Sequence, residues 1–356
     1  MNRTPILTLF LLLHLASLFA IFPERMIAAT SKGHWLPIAV VFLAELLILW
    51  LYLKGMSLFP GRTVVEICSD ALGKWGTWLV VLPLMFFLLC QLALLLYYQT
   101  IEIKAVLLQR TPAAATSAIF VVICFYGAWK GLAAIIRASA ALFFLLMPFL
   151  IFSMLISLQN FRVNYIFPVW DSHFSFISHS DFYVSLSILS GFLFLGMIPS
   201  KKTIRFGKMA TLVAILFVFA MASVYIPLLV FGRETAVNFQ YPMLMASDTI
   251  DLEWVVFDWL PSFYVVSSSV LGIVQFSVLL WMLVSLLHQL FLPNINRMWI
   301  LPSLCAILYL SSLRIPDMDA MNFYLYLNSY FCLYSIIGFP VVVFLAALWQ
   351  RKKVIT

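Results

Sequence analysis

Charged side chains are scarce in this sequence, and their scarcity excludes a soluble globular protein. Of 356 residues, 21 are Lys or Arg and 14 are Asp or Glu, so 10% of the chain is charged whereas 64% is hydrophobic. Soluble domains are usually about 25% charged. The net charge of +7 does not indicate nucleic-acid binding, because the basic residues lie in short segments between long apolar runs. The composition predicts an all-α polytopic membrane protein.

Cysteine is also sparse, and the usual catalytic motifs are missing. The five cysteines form no CxxC pair and no cluster with histidine, so we expect neither a disulfide framework nor a metal site. Asp171, His173, His179 and Asp181 share one aromatic stretch, for which a folded outer loop is a simpler interpretation than a metal site. Nucleophile elbows, HExxH motifs and phosphate-binding glycine loops do not occur. The sequence therefore predicts no enzyme activity and no cofactor.

Ten apolar stretches are long enough to be considered as membrane spans, since crossing the hydrocarbon core takes about 20 residues. We place them at approximately 6–29, 35–54, 77–103, 113–129, 133–157, 182–199, 209–231, 260–289, 298–313 and 328–349. Together they form a single membrane domain, residues 1–356, with one repeat at about 6–157 and a second at about 182–349.

The positions of lysine and arginine predict how these spans are oriented. With the N-terminus in the cytoplasm, the inner segments carry about twice as many basic residues as the outer ones, which predicts that both termini are cytoplasmic. Residues 63–73 place their apolar side chains on one helical stripe and predict a short interfacial helix on the inner side. Residues 233–253 form a longer outer loop that could act as a small cap.

Two spans contain residues that interrupt a helix, and they occupy corresponding places in the two halves of the chain. The first contains Ala16-Ser17 and then Pro23, and the sixth contains Gly191 and Gly196. Irregular backbone at membrane depth needs hydrogen-bond partners from protein or a wet cavity, and a matched pair of interruptions points to a binding site. We expect the first helix to open near Ser17, where the free N–H groups of its outer half would suit a carboxylate.

Polar residues of other spans could line the same cavity. The predicted ligand-binding residues are Ala16, Ser17, Gln91, Ser190, Gly191, Phe194, Ser268 and Gln275. A simpler alternative stays open for each break, namely a proline-kinked helix in the first span and close packing of small residues in the sixth. Glu24 and Arg25 are interpreted as an interfacial ion pair and His14 as a packing residue. Glu45 is a candidate functional group, because ionisable side chains within a membrane are costly.

One run of residues resembles a known family. Phe59–Gly76 (FPGRTVVEICSDALGKWG) is similar to the segment after the second helix of spore germinant-receptor B subunits, the endospore germination permeases. Weaker similarities follow in the family's order over nearly the whole chain, at Ala16-Ser17, Pro23, Gly33, Trp35, Thr111-Pro112, Gly131, Arg137, Tyr241-Pro242 and the acidic–aromatic stretch after Asp251.

The resemblance implies a fold and a function. The fold would be the LeuT-like core of the APC superfamily, with five-plus-five inverted helices and discontinuous helices one and six. The protein would bind a small nutrient germinant, an amino acid or a sugar, in the spore inner membrane. Its partners would be an A subunit and a lipoprotein C subunit, and it would signal to them.

The sequence departs from the family's pattern at three places. Ala16 replaces the usual glycine before Ser17, the run Gly191–Met197 (GFLFLGM) lacks a proline and a carboxylate, and Trp254 follows Glu253 where an arginine is common. These departures bear on the ligand. Two alternatives to the germinant sensor therefore stay open: an amino-acid permease of the APC superfamily that works by alternating access, and an assembly scaffold that has lost its ligand.

Overall fold

A computed structural model describes residues 4–171, 173–199, 204–249 and 260–355, and within these ranges the regular structure is entirely helical. The first half of the chain forms six helices: α1 (Thr4–Leu18), α2 (Ile21–Ala29), α3 (Trp35–Ser57), α4 (Val64–Val106), α5 (Ala113–Lys130) and α6 (Leu132–Ile156). The second half begins with α7 (Ser180–Ser185), which runs directly into a 3₁₀ helix, Leu186–Met197, called the 3₁₀ segment below. The remaining helices are α8 (Phe206–Phe231), α9 (Arg233–Ala236), α10 (Pro242–Asp248), α11 (Leu260–Leu286), α12 (Arg297–Leu313), α13 (Met318–Leu333) and α14 (Phe339–Ile355).

Within the described residues, eight helical stretches are long and apolar enough to cross a membrane, which makes this an integral membrane protein. Counting the bent pair α1–α2 as one span raises the number to nine. The remaining predicted span, 298–313, corresponds to α12, an apolar helix of 17 residues that is shorter than the others. The division into two repeats stays a prediction.

The last span begins earlier than the sequence predicts. Instead of starting at Asn328, the helix starts at Met318, where the side chain of Asp317 caps it by accepting the Ala320 N–H at 2.8 Å. A π-helical turn, Tyr334–Gly338, then joins α13 to α14 and keeps Met318–Lys352 a continuous apolar stretch. The prediction was wrong here because the polar side chains of α13 face other helices, where hydropathy alone gives no signal.

The predicted interfacial helix is present as the first part of α4. Thr63 accepts the Glu66 N–H at 3.3 Å, and the Glu66 carboxylate accepts the Thr63 N–H at 2.7 Å, which is a complete capping box. Ile67 and Cys68 on its apolar stripe are buried. Gly73 then interrupts the helix at φ 72° and ψ −179° and redirects the chain into the membrane span.

Gly73→Ala is expected to lower the free energy of unfolding by about 1–3 kcal/mol, because this backbone conformation is essentially restricted to glycine. An added Cβ meets no atom within 4 Å, so the loss would come from the backbone alone. Gly207→Ala is the matched control, since its Cβ also meets nothing but its backbone is ordinary helix. Thermal unfolding in detergent would measure both variants, and equal effects would contradict the explanation.

The interior is built around α11, which packs against α1, α4, α5 and α6. In the most apolar part of α11, 78% of the residues are buried. In the corresponding parts of α5 and α6, 33% are. The outer faces of α5 and α6 are therefore available to lipid, whereas α11, α1, α4 and the 3₁₀ segment form the core that holds the polar groups at membrane depth.

The connection between α8 and α11 is partly described. Of the predicted outer loop 233–253, the structure shows α9 and α10, and α10 packs on α8 and α11. Asp251, Glu253 and Trp254 lie outside the described residues, as do Lys201 and Lys202 of the predicted inner segment. All five cysteines have free thiols, and four of them are buried.

Candidate functional site

The first broken helix opens close to Ser17, at Phe19 and Ala20. The chain leaves α1 after Leu18, passes through Phe19 and Ala20, and enters α2 at an angle of 55°. Ser17 remains helical, and Pro23 lies in the first turn of α2, where proline is tolerated. The freed carbonyl oxygen of Phe19 accepts a hydrogen bond from the Tyr264 hydroxyl of α11, which explains why the opening is stable at this point.

The second interruption takes a different form from the predicted one. The helix changes from α to 3₁₀ at Leu186, and the 3₁₀ geometry persists for 12 residues, although such runs rarely exceed about four. Of the two alternatives for Gly191 and Gly196, unwinding and close packing, the structure favours close packing, because both lie within the 3₁₀ helix and neither has a positive φ. Their hydrogens instead make room for neighbouring side chains: an added Cβ would lie 2.7 Å from the His14 ring at Gly191 and 1.9 Å from the Tyr52 hydroxyl at Gly196.

The two interruptions meet around one small pocket. It is lined by residues of α1, α2, α4, α7, the 3₁₀ segment and α11, namely Ser17, Ala20, Ile21, Phe22, Gln91, Leu95, Ser185, Ser187, Ile188 and Gln275. The space that the centre of a water-sized sphere can reach is about 10 Å³, which is room for about one water molecule. The pocket is therefore too small for a molecule larger than water unless the surrounding helices move apart.

The polar groups of the pocket are neutral and partly paired with one another. Gln275 Nε2 donates to Ser17 Oγ at 2.8 Å, and Gln91 Oε1 accepts from Asn328 Nδ2 at 3.1 Å. These bonds leave the Ser17 hydroxyl and Gln91 Nε2 as donors and Gln275 Oε1 as an acceptor. The N-terminus of α2 also faces the pocket and has no side-chain cap, so its first N–H groups add a positive dipole end.

Three of the predicted ligand-binding residues, Ser17, Gln91 and Gln275, lie together in this pocket. The other five do not line it. Ala16 and Phe194 are buried among apolar side chains, Ser190 donates to the Ser187 carbonyl oxygen at 2.7 Å, and Gly191 packs on His14. Ser268 of α11 donates to both carboxylate oxygens of Glu102, at 2.8 and 3.0 Å. Asn328, which donates to Gln91, lines a separate and mostly apolar groove of about 410 Å³.

A buried cluster around Arg25 joins α2, the second half of the first broken helix, to α7, the first part of the second. The Arg25 guanidinium is 3.0 Å from Glu24 and 2.9 Å from Asp181 of α7, and it donates to the Asn322 side-chain oxygen of α13. Arg25 is only 7% exposed. The predicted ion pair of Glu24 and Arg25 is present, but the part played by Asp181, which is 156 residues from Arg25, was not predicted.

A second buried pair, also missed, joins the first half of the broken helix to α3. His14 Nε2 lies 2.8 Å from Glu45 Oε1, and both side chains are fully buried. Either residue alone was an isolated polar group in an apolar run, so the pairing could not be predicted. The His14 ring also contacts Gly191 of the 3₁₀ segment.

Comparison with models of protein families gives a match. A family model described as spore germination protein covers residues 2–319, which include both broken helices and every residue that lines the pocket. A search of curated proteins finds no match.

Proposed function

The chain belongs to the spore germination protein family, and from this premise we propose that it is the B subunit of a germinant receptor. In this proposal it binds a small nutrient, an amino acid or a similar molecule, between its two broken helices and signals the binding to partner subunits. Those partners would be an A subunit and a lipoprotein C subunit in the spore inner membrane, with both termini of this chain cytoplasmic.

The observation that carries the proposal is the pocket itself. An uncapped helix N-terminus, two glutamine side chains and a serine hydroxyl converge on it from four different helices. Such an arrangement suits the carboxylate and the polar groups of a small nutrient. The meeting of two interrupted helices also supports a ten-span, five-plus-five arrangement of the LeuT type.

The pocket's lining favours a small ligand with both polar and apolar parts. Its ten residues include no charged side chain, whereas Ile21, Phe22, Leu95 and Ile188 supply apolar surface. A zwitterionic amino acid could place its carboxylate at the start of α2 and its side chain against these apolar groups. A strongly charged ligand would lose its hydration without gaining a counter-ion.

The closed state of the pocket supports a sensing mechanism. A ligand shifts a conformational equilibrium only by its differential affinity for the two states. The structure holds about 10 Å³ of free space, so a nutrient would bind an open state far better than this one. Binding would then stabilise the separation of α2 from α7, and partner subunits that contact these helices could detect it.

Reconstitution separates the sensor from the two alternatives. The chain would be placed in liposomes alone and with its A and C partners, and binding and uptake of a panel of radiolabelled amino acids and glucose would be measured. We expect saturable binding without accumulation in the liposome lumen. Uptake that exceeds the bound amount would favour a permease, and no binding in any assembly would favour a scaffold.

A further inference from the structure

We propose that His14 and Glu45 form a proton-binding site, which holds one proton while the broken helices are packed together and exchanges it with water when they separate. In this proposal the proton site regulates the opening of the pocket. It rests on the proposed function only for its effect on nutrient binding, because the proton site itself follows from the geometry of the two side chains.

The hydrogen bond to Phe10 fixes the state of one ring nitrogen. His14 Nδ1 lies 2.8 Å from the Phe10 carbonyl oxygen. A carbonyl oxygen can only accept, so Nδ1 must carry a hydrogen. A neutral imidazole has only one N–H, and Nε2 would then present a lone pair.

The contact with Glu45 therefore requires a further proton. His14 Nε2 and Glu45 Oε1 are 2.8 Å apart, and a lone pair facing a carboxylate at that distance would be repulsive. The pair must hold a proton, either as imidazolium with carboxylate or as imidazole with carboxylic acid. The two atoms lie within ion-pair distance of each other, and neither has a hydrogen-bond partner among the described residues.

Burial makes the single-proton state the stable one. Both side chains are 0% exposed, and neither has another ion-pair partner among the described residues. Loss of the proton would leave one uncompensated negative charge in the core, and a second proton would leave one positive charge. Either change would cost several kcal/mol without solvation.

The segments packed against α1 and α3 offer no other ionisable side chain that could pair with His14 or Glu45. Their ionisable side chains lie near helix ends or are tyrosines, and those on α2 pair with each other and with Asp181. Apart from Glu45 itself, the ionisable side chains on the described parts of α2, α3, α6, α8, α11 and α14 are Glu24, Arg25, Tyr52, Lys54, Arg137, Lys208, Tyr225, Tyr264, Arg351 and Lys352. Lys54, Arg137, Lys208, Arg351 and Lys352 are exposed. The 3₁₀ segment carries no ionisable side chain.

The pair is positioned to respond to opening. His14 lies one turn before Ser17 of the pocket, and its ring rests directly on Gly191, where an added Cβ would be 2.7 Å from Cε1. Separation of α1 from the 3₁₀ segment would remove the glycine cover and admit water. The proton could then leave, so proton exchange and opening of the broken helices are thermodynamically linked.

The sign of the pH dependence follows from counting protons. In water an imidazole titrates near pH 6.5 and a glutamate near pH 4.3. Between these values the open pair also holds one proton, so opening should be independent of pH. Above about pH 6.5 the open pair holds none, and opening releases a proton. The opening equilibrium should then rise by up to about tenfold per pH unit.

Hydrogen exchange in lipid nanodiscs tests this without a nutrient. The protection factors of peptides from α1 and the 3₁₀ segment would be measured on the full chain between pH 5 and 8.5, relative to intrinsic exchange. We expect a plateau below about pH 6.5 and a fall of up to about tenfold per unit above it. Glu45→Gln should remove the slope, because the closed state then needs no extra proton.

Two comparisons make the result specific. Peptides of α12, which is not packed against α1, should show no such slope, and the exposed-residue control Glu234→Gln should behave like the wild type. Protection that is independent of pH in the wild type would overturn the proposal, as would a slope that survives in Glu45→Gln. If Glu45→Gln does not fold, the wild-type profile still decides. Because no ligand is present, failure here would leave the nutrient pocket untouched.

Discussion

Spores that carry Ser17→Phe are expected to lose their germination response to the nutrient, while the protein still inserts in the membrane at normal levels. The phenyl ring would occupy a pocket with about 10 Å³ of free space and would displace Gln275 Nε2 from its acceptor, Ser17 Oγ. Because the ring would take the space that the nutrient needs and would remove the Ser17 hydroxyl, we expect a loss of affinity of about a hundredfold or more, which corresponds to about 3 kcal/mol.

Thr8→Phe is the control for this variant. Thr8 lies on the same helix, is half-buried and does not line the pocket. The loss of optical density of a spore suspension would report the response, and immunoblots of spore membranes would report protein level. A normal response in Ser17→Phe spores would remove the pocket as the nutrient site.

Gly191→Leu is expected to abolish the response as well, but through a different contact. Its side chain would collide with the His14 ring rather than fill the pocket, since even a Cβ would lie 2.7 Å from Cε1. Both variants should therefore fail in the spore assay. Measuring nutrient binding at several pH values would distinguish them. Only Gly191→Leu should change the pH dependence of any binding that remains.

Arg25→Gln should lower the free energy of unfolding by about 3–5 kcal/mol, because it leaves buried carboxylates without their cation. Glu24 and Asp181 are only 14% and 17% exposed, and both lie within 3.0 Å of the guanidinium. The variant should also loosen α2 from α7 and favour the open pocket. Chemical unfolding in detergent would measure the first effect, and hydrogen exchange of α7 the second.

Arg62→Gln is the matched control for Arg25→Gln. Arg62 also pairs with an aspartate, Asp70, but the two side chains are 47% and 45% exposed. Exposed pairs contribute about 1 kcal/mol or less, so this variant should be close to wild type. Adding Asp181→Asn to Arg25→Gln should recover part of the lost stability, since one orphaned charge is removed. No recovery, together with equal losses in Arg25→Gln and Arg62→Gln, would contradict the role of the Arg25 cluster.

The sequence was sufficient for features that depend on neighbouring residues. The short helix over residues 63–73 and the apolar stretches of the spans were predicted, because both patterns arise within a few residues of chain. The existence of two interruptions followed from the same local signals. Their exact form did not, because the α1 opening is stabilised by Tyr264, which is 245 residues from Phe19.

The glycines show most clearly why the form of the second interruption stayed open in the sequence. A glycine in an apolar run is compatible with an unwound helix and with close packing, and the sequence does not distinguish them. Here Gly191 and Gly196 accommodate His14 and Tyr52 from α1 and α3. The Arg25 and His14 clusters were missed for the same reason: their partners come from helices whose relative placement only the fold specifies.

The central claim is that the pocket between the broken helices binds a nutrient. Its most direct test is equilibrium binding to the chain assembled with its partner subunits in nanodiscs, with a panel of radiolabelled amino acids and glucose. The wild type, Ser17→Phe and Thr8→Phe would be compared. Saturable binding of at least one compound by the wild type and Thr8→Phe, lost in Ser17→Phe, is the predicted result. Equal affinity in all three proteins would contradict it.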